Sequence, residues 1–418
     1  MRTKSSVPCR QGRRAALAQA IGFAACASGV ALASPAAALS VPEVTDTSPP
    51  FAITATVAYD SNVARSSAAL AALRGLTRED EIYSPSVQIN LAKEFGSATA
   101  GIKASVGYDF YQTNTILNRE NLDVGAGITQ TFSNCAATLS GSFLRQQSDL
   151  DQLTVVVTKN TETVASTSLG VTCERGSRVT FAVLVAPSWT QNSATLLKSS
   201  DNNLIPVTAE IGYDFGKFGK LAAFGEYANS EYPDRTVRLG GSVRTDGYDL
   251  FSGGIRWTRD LGSRLKATAQ ISEISLEPRL PGDLAFSGLG YLADLTYRFT
   301  SRLDVEISAA REASPVNRID TTYSIDRTYR GSVGYRVGGK TRLSVEGQIA
   351  QHRYFGAQIV PGFDLTRQTI SSIGAKITHD LRSNIAVTLA AAQERGTADI
   401  PDYEYNDARA ELSLSLAF

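Results

Sequence analysis

The sequence predicts an all-β fold: a transmembrane antiparallel up-and-down β-barrel of about 18 strands, with short periplasmic turns and longer extracellular loops. Three observations support this fold class. Segments of alternating apolar and polar residues recur from residue 51 to the C-terminus. The connections between these segments are alternately short and long. Aromatic residues gather at both ends of the apolar stripes, as expected at two membrane interfaces.

The alternation is visible within single segments of the chain. In TAGIKASVGYDF, at 99–110, Ile102 and Tyr108 share one side of a strand, while Lys103 and Asp109 fall on the other. A period of two residues is the pattern of a strand with one apolar face. The predicted strands start near residues 51, 82, 98, 121, 137, 162, 178, 206, 219, 248, 263, 288, 302, 326, 341, 366, 383 and 407.

The last segment, ARAELSLSLAF, ends the chain on an alternating strand. Leu412 and Phe418 lie on its apolar side, and Arg409 and Glu411 lie on its polar side. Because lipid tolerates no unpaired sheet edge, we expect this strand to close the barrel against the first strand, FAITATVAYD. A terminal Phe after such a strand also resembles the signal read by the outer-membrane barrel assembly machinery, which is therefore an expected partner.

The connections distinguish a barrel from a soluble β-sandwich, which also has alternating strands. Turns such as SNC at 133–135 and GGK at 338–340 are short, whereas 62–81 and 230–247 are long. One sandwich rarely holds so many strands. A sandwich would also have to bury charges such as Glu306 in a dry core, at a large cost in free energy. The barrel is therefore the preferred interpretation.

The polar stripes carry charged residues that we expect to face a water-filled lumen. The predicted lumen-lining residues are Arg256, Lys266, Asp294, Arg298, Asp304, Glu306, Arg330, Arg336, Glu346, Lys376, Arg409 and Glu411. Two interpretations remain open: a wall of ion pairs, or a selective constriction. The mixture of signs argues against a strong preference for anions or cations.

The aromatic residues predict two girdles on the lipid-facing side of the barrel. The predicted girdle residues are Tyr213, Phe215, Trp257, Tyr297, Phe299 and Phe418 at the short-turn end, and Tyr59, Tyr108 and Phe110 at the long-loop end.

The first loop, 62–81, contains an Ala- and Leu-rich stretch that predicts a short helix. This loop could enter the lumen or cap the outer opening, but we expect a surface loop.

Cys135 and Cys173 are the cysteines of the predicted barrel. A hairpin centred near residue 154 would place them opposite each other and on the same face. Directly opposed residues of an antiparallel pair have the separation that a disulfide needs, so we predict one here. Export to an oxidising compartment would allow it to form.

The N-terminus predicts export and outer-membrane localisation in a Gram-negative bacterium. Residues 1–38 combine a basic start, an apolar middle and small residues at a cleavage site, which is typical of a secretory signal peptide. Residues 39–50 would form a periplasmic lead, and 51–418 the barrel.

With 41 basic and 41 acidic residues, the chain shows no charge excess that would indicate nucleic-acid binding.

Nothing in the sequence indicates an enzyme, a cofactor or a metal site. His352 and His379 are the only histidines. The predicted register places them at opposite ends of the barrel, which excludes a His-pair metal site. No nucleophile motif of the GxSxG type occurs in a suitable context.

The segment YDSNVAR at 59–65 follows a short Pro-containing lead, VPEVTDTSPP. Through Tyr59, Asp60, Asn62 and Val63 it resembles the opening motif of the type-2 β-barrel porin family, α-proteobacterial outer-membrane proteins associated with exopolysaccharide genes. The resemblance implies passage of a secreted polysaccharide, or another sugar, across the outer membrane, with polysaccharide-export components as partners.

Three functional hypotheses therefore stand. The first is the sugar- or polysaccharide-passing pore that the resemblance implies. The second is a general diffusion porin for small hydrophilic solutes, and the third is a closed structural or adhesion barrel. In each case outer-membrane lipid and lipopolysaccharide are expected partners, because the apolar stripes must face acyl chains.

Overall fold

The computed structural model describes residues 49–148, 150, 159–175, 178–239, 242–262, 264–316, 318, 321–356 and 364–418. The predicted signal peptide at 1–38 and nearly all of the predicted lead at 39–50 lie outside the described residues. Most of the predicted barrel region, 51–418, lies within the described residues.

The described chain forms one sheet of nineteen strands. The strands are β1 (Phe51–Asp60), β2 (Asp80–Phe95), β3 (Ala98–Tyr111), β4 (Arg119–Phe132), β5 (Cys135–Gln147), β6 (Thr161–Arg175), β7 (Val179–Val185), β8 (Ser188–Asn192), β9 (Asn202–Asp214), β10 (Lys220–Leu239), β11 (Ser242–Asp260), β12 (Leu265–Pro278), β13 (Phe286–Arg298), β14 (Leu303–Ser314), β15 (Tyr323–Val337), β16 (Thr341–Phe355), β17 (Arg367–Arg382), β18 (Ile385–Ala398) and β19 (Tyr405–Ala417). One short α-helix, α1, spans Ala68–Leu73, and single 3-10 turns lie at Thr115–Leu117, Thr195–Ser200, Gly216–Phe218 and Pro401–Tyr403. No helix among these described elements is long and apolar enough to cross a membrane.

Two of the strands, β7 and β8, are halves of a single crossing. Both pair with β6 in one unbroken register, from Leu169 opposite Val185 to Glu162 opposite Asn192. The break falls at Pro187, which has no backbone N–H to donate to a neighbouring strand. Nineteen strands less one interruption give eighteen crossings, so the predicted strand number is confirmed.

The sheet closes on itself. Strand β1 pairs antiparallel with β19, from Ala52 opposite Ala417 to Asp60 opposite Arg409. The Phe418 amide also donates to the Phe51 carbonyl, at 2.9 Å. Each strand pairs antiparallel with its neighbours, so the sheet has no open edge, and the predicted closure of the last strand on the first is confirmed.

The two faces of the closed sheet differ in the way the alternation predicts. Large apolar side chains such as Ile373, Leu412 and Leu414 lie exposed on the outer face. An apolar surface of this extent is incompatible with a monomer in water and is typical of a barrel surrounded by lipid. The inner face carries charged and hydroxyl side chains, and at the extracellular end inward side chains from several strands contact each other. The fold class predicted from sequence is thus confirmed.

Candidate pore and extracellular mouth

The register places every predicted lumen-lining residue on the inner face of the barrel. In the half nearer the short turns, several of these side chains face open space and are exposed: Lys266, Asp294, Arg298, Glu306, Arg330 and Arg336. The half-buried ones are Asp304, Glu346, Lys376, Arg409 and Glu411, and Arg256 is buried at mid-height. The periplasmic half of the lumen therefore presents solvated charges of both signs.

The ion pairs on this wall include residues that were not predicted to line the lumen. Arg256 binds Glu210 through Nη1, at 2.6 Å, and Lys220 binds the other oxygen of the same carboxylate, also at 2.6 Å. Asp304 pairs with Arg342 at 3.4 Å. Glu210, Lys220 and Arg342 were not among the predicted lumen residues. Each of them alternates with outward apolar residues in its strand, and this alternation could have predicted that they face the lumen.

At the junction of the first and last strands, hydroxyl groups line the lumen wall next to an ion pair between Arg409 and Glu411, at 3.6 Å. Thr54 bonds Ser415, and Thr56 bonds Ser413, each at 2.9 Å across β1 and β19. A similar ladder joins β5 and β6, where Ser140 bonds Ser168 at 2.7 Å. Hydroxyl ladders therefore line the lumen wall at these two places, beside inward charges such as Lys103 and Glu411.

The motif YDSNVAR turns the chain inward at the extracellular end of β1. Arg65 forms ion pairs with Asp60 at 3.1 Å, with Asp407 at 2.7 Å and with Glu394 at 3.3 Å. Burial opposes the charge on the guanidinium, but these carboxylates raise the pKa of Arg65 above its ordinary value. The buried Asn62 amide donates to Asp60 and to Asp407, each at 2.9 Å. The motif therefore holds loop 1, residues 61–79, against β18 and β19.

Loop 1 contains α1, and this helix lies among the other extracellular loops. The Ser67 hydroxyl caps it by accepting from the Leu70 amide at 3.1 Å, and the Ser67 amide donates to the Asp402 carbonyl at 2.9 Å. Leu70 is fully buried in an apolar cluster with Val316 and Tyr354, together with Leu365 and Tyr403. The expectation of a surface loop was therefore wrong: loop 1 packs within the extracellular opening of the barrel, which we call the mouth.

The opposite side of loop 1 is also buried. Ala64 and Leu76 belong to a second cluster that contains Leu117, Leu150 and Leu197, from the loops after β3, β5 and β8. Loop 1 therefore contacts loops on both sides of the barrel. Sequence alternation gave no indication of this arrangement, because the contacts join residues far apart in the chain.

The sheet opens between β13 and β14 at the extracellular end, and the tip of the β14–β15 hairpin packs in the mouth. Pairing between β13 and β14 stops at Tyr291 opposite Arg311, whereas β14 and β15 remain paired as far as Ser314 opposite Ser324. Beyond Arg311, the unpaired end of β13 and the end of β14 separate. On its other side, β15 stays paired with β16 as far as Tyr323 opposite Phe355, so the hairpin remains joined to the wall there.

An apolar cluster fixes the hairpin tip against the inner face of nearby strands. Ala313, Tyr323 and Ile325 pack with Leu250 and Ile274 from the inner face of β11 and β12. The Tyr232 hydroxyl donates to the Thr322 carbonyl at 2.7 Å. These side chains are nearly all buried, so this part of the extracellular half of the lumen is a packed interior instead of a water-lined wall.

Arg235 links several of the segments that form the mouth. It was not predicted as a functional residue, because the sequence shows it only as one charge in a long loop. It follows the register shift between Tyr232 and Thr236. Its guanidinium donates to the Thr321 and Arg318 carbonyls, each at 2.9 Å. It also bonds Asp246 at 3.0 Å and the Ser199 carbonyl at 3.1 Å. One buried side chain therefore links the β14–β15 loop, β11 and the loop after β8.

The predicted girdle residues all lie on the outer face of the sheet or at its periplasmic rim. Tyr213, Tyr297 and Phe299 are exposed near the short turns, and Tyr59 and Phe110 near the long loops.

A disulfide joins Cys135 and Cys173, which face each other across β5 and β6. The register directs this pair outward, at the periplasmic end.

The two histidines lie far apart, as the register predicted. His352 lies at the extracellular end of β16 and bonds Asp326 at 2.8 Å, while His379 lies at the periplasmic end of β17 and bonds Thr341 at 2.8 Å. Within the described ranges, no group of His, Cys, Asp and Glu is arranged to hold a metal ion.

A closed sheet with an apolar exterior and a polar interior identifies the architecture. The protein is a transmembrane antiparallel β-barrel. No protein-family model matches the chain, and no curated protein matches it.

Comparison with solved structures finds other barrels at low similarity. OccK2 (OpdF) of Pseudomonas aeruginosa is 11% identical over 88% of this chain and 97% of its own, with a TM-score of 0.45. OccAB3 of Acinetobacter baumannii is 11% identical over 88% and 99%, with a TM-score of 0.44. The siderophore receptor PirA of A. baumannii is 7% identical over 88% and 80%, with a TM-score of 0.41. At these values the architecture of the present barrel rests on its own strand order and register.

Proposed function

We propose that the protein is an outer-membrane channel through which small hydrophilic solutes diffuse, with passage limited at the extracellular mouth. The observation that carries this proposal is the contrast inside the barrel. Exposed charges such as Lys266, Arg298 and Arg336 line the periplasmic half, while loop 1 and the β14–β15 hairpin fill part of the mouth. An eighteen-stranded barrel is wide enough for an aqueous lumen, so the packed loops set the size of the passage.

Polysaccharide passage, which the YDSNVAR resemblance implies, has no further support. The motif residues Asp60, Asn62 and Arg65 hold loop 1 in place, and that role accounts for them without any ligand. A long sugar polymer would also require the packed loops to move aside. A diffusion channel requires only the space that remains between them.

The proposal is tested by measuring solute entry into liposomes that contain the purified full barrel. We expect swelling with monosaccharides and small oligosaccharides, with a rate that falls steeply as the solute becomes larger. Swelling no faster than in protein-free liposomes would show a closed barrel and would overturn the proposal. Equal rates for small sugars and long polysaccharides would show that the mouth does not limit passage.

A matched pair of substitutions on α1 tests the role of the mouth. Leu70 is 0% exposed and Leu73 is 75% exposed, although both lie on the same short helix. Leu70→Asp places a charge in the apolar cluster and should raise the size limit, because burying an unpaired charge is costly and loop 1 must shift. Leu73→Asp should leave the size limit unchanged. An unchanged size limit in Leu70→Asp would contradict a limiting mouth.

A further inference from the structure

Arginines occupy the outer face of consecutive strands at the extracellular end of the barrel. The residues that form this arginine band are Arg311 on β14, Arg327 on β15, Arg353 on β16, Arg367 on β17 and Arg395 on β18. All except the half-buried Arg311 are exposed. Register places them on the outer face: Arg327, for instance, shares its stripe with the exposed residues Tyr329 and Val333.

Two pairs within the arginine band place like charges directly opposite each other. Arg311 faces Arg327 across β14 and β15, and Arg353 faces Arg367 across β16 and β17. Like charges in such positions destabilise a sheet. The Arg311 guanidinium lies over the ring of Phe286, which packs on the inner cluster, at 5.4 Å. The exposed repulsive pair is therefore Arg353 with Arg367, and it indicates that an anion outside the protein neutralises it.

The described part of the chain supplies no such anion. The acidic residues of β14–β18 have inward parity: Asp304, Glu306, Glu312, Asp326, Glu346, Asp380 and Glu394. Among the described residues, no member of the arginine band forms an ion pair with a carboxylate. Arg311 donates to the Leu289 carbonyl at 2.9 Å, and Arg353 lies over the Phe355 ring at 4.9 Å. Neither contact supplies a negative charge.

Two arginines elsewhere on the outer face, near the extracellular end, are paired with carboxylates. On β5, Arg145 lies on the outer face near the extracellular end and binds Glu120 at 2.8 Å. On the outer side of β11, Asp249 binds Arg279 at 3.5 Å. These two arginines therefore have partners of opposite sign within the protein. The arginine band differs from these two positions, where each arginine is neutralised within the protein.

The arginine band lies at the level of a membrane interface. Immediately towards the membrane centre, the Tyr291 and Tyr329 hydroxyls bond each other at 2.7 Å on the outer face. Below them the stripes continue with Ile349 and Ile373, both exposed. Paired tyrosines between an apolar surface and a charged one mark the headgroup level. A lipid bound here would place acyl chains on the apolar stripes and its headgroup on the arginines.

We propose that the arginine band binds the phosphate groups of a phosphorylated glycolipid of the lipopolysaccharide type in the outer leaflet. Arginine binds phosphate through two parallel N–H bonds, which makes it well suited to this headgroup. Neighbouring strands lie about 4.8 Å apart, so the exposed arginines of the band, from β15 to β18, extend roughly 14 Å across the sheet. That width exceeds a single phosphate and fits a headgroup that carries two.

The experiment uses the full barrel in phosphatidylcholine nanodiscs that also contain diphosphorylated lipid A, dephosphorylated lipid A or phosphatidylglycerol. Native mass spectrometry after gentle extraction counts the lipid that each barrel retains. We expect wild type to retain diphosphorylated lipid A in preference to both other probes. A basic residue near an anionic lipid contributes about fivefold, so combining Arg327→Gln, Arg353→Gln and Arg367→Gln should weaken retention roughly 100-fold.

Arg145→Gln is the matched control, because it removes an outer-face rim arginine that already has a carboxylate partner. It should retain lipid A as wild type does. Sheet content and heat resistance of each variant show that the barrel is intact. The proposal is wrong if the triple variant retains as much lipid A as wild type, or if dephosphorylated lipid A binds equally well. Equal retention of phosphatidylglycerol would overturn the assignment to a glycolipid. None of these outcomes depends on solute passage.

Discussion

The two halves of the barrel interior use the same inward-facing positions in opposite ways. Near the periplasm, inward residues such as Lys266, Glu306 and Arg336 are exposed charges. Near the extracellular end, inward residues such as Leu250 and Ile274 are buried in an apolar cluster. The strands are continuous through both halves, so the difference comes from the loops: only at the extracellular end do loops long enough to fold inward cover the wall.

The largest expected effect concerns Arg65. Arg65→Ala leaves Asp60 and Asp407, whose side chains are each 3% exposed, as buried carboxylates without their cation. Removing one partner of a buried ion pair costs roughly 3–5 kcal/mol. We expect loop 1 to detach and single-channel conductance in planar bilayers to increase. Arg145→Ala, which breaks an exposed pair, should leave conductance and stability unchanged; equal conductance in both variants would show that Arg65 does not hold the mouth.

Arg235→Ala should have the next largest effect. It removes the donors to the Thr321, Arg318 and Ser199 carbonyls and leaves Asp246 without its guanidinium. Each buried polar group left without a partner costs about 1–3 kcal/mol. We expect the β14–β15 loop to become mobile, as measured by faster amide hydrogen exchange at Thr322 and Tyr323. Protection that stays at the wild-type level would mean that the apolar cluster alone holds the hairpin.

A smaller effect is expected from charges in the periplasmic half. Replacing Lys266, Arg298 and Arg336 with Gln should shift ion preference towards cations, because the remaining inward carboxylates then predominate. Salt screens charges across a wide, water-filled lumen over about 8 Å, so the reversal potential in a salt gradient should move only modestly. A complete change to cation selectivity would show that these residues form a constriction, contrary to their exposure.

The smallest effect on conductance is expected from the disulfide. Cys135→Ser combined with Cys173→Ser removes a bond between residues separated by 38 positions, at the periplasmic end and on the outer face. Loss of such a crosslink lowers the free energy of unfolding by roughly 2–4 kcal/mol. Thermal unfolding in detergent should shift downward, while conductance remains that of wild type. A change in conductance would indicate that the distant mouth responds to the barrel rim.

The strand pattern was predictable because it is local in the chain. Predicted strand starts such as 98, 137 and 341 fall within a few residues of the observed starts of β3, β5 and β16. The inward parity of Asp304 or Lys376 also followed from alternation alone. Loop 1 was misjudged for the opposite reason: Leu70 is buried by Tyr354 and Tyr403, which lie hundreds of residues away and carry no local sign of the contact.

The sequence by itself determined the number of crossings, the direction of each side chain and the closure of the last strand on the first. These properties follow from a period of two residues in a strand that has lipid on one side and water on the other. Only the tertiary structure decided that loop 1 and the β14–β15 hairpin fill the mouth, that Arg235 joins them, and that arginines from separate strands form one outer band. Such features depend on which distant segments meet, and curvature and closure of the sheet bring those segments together.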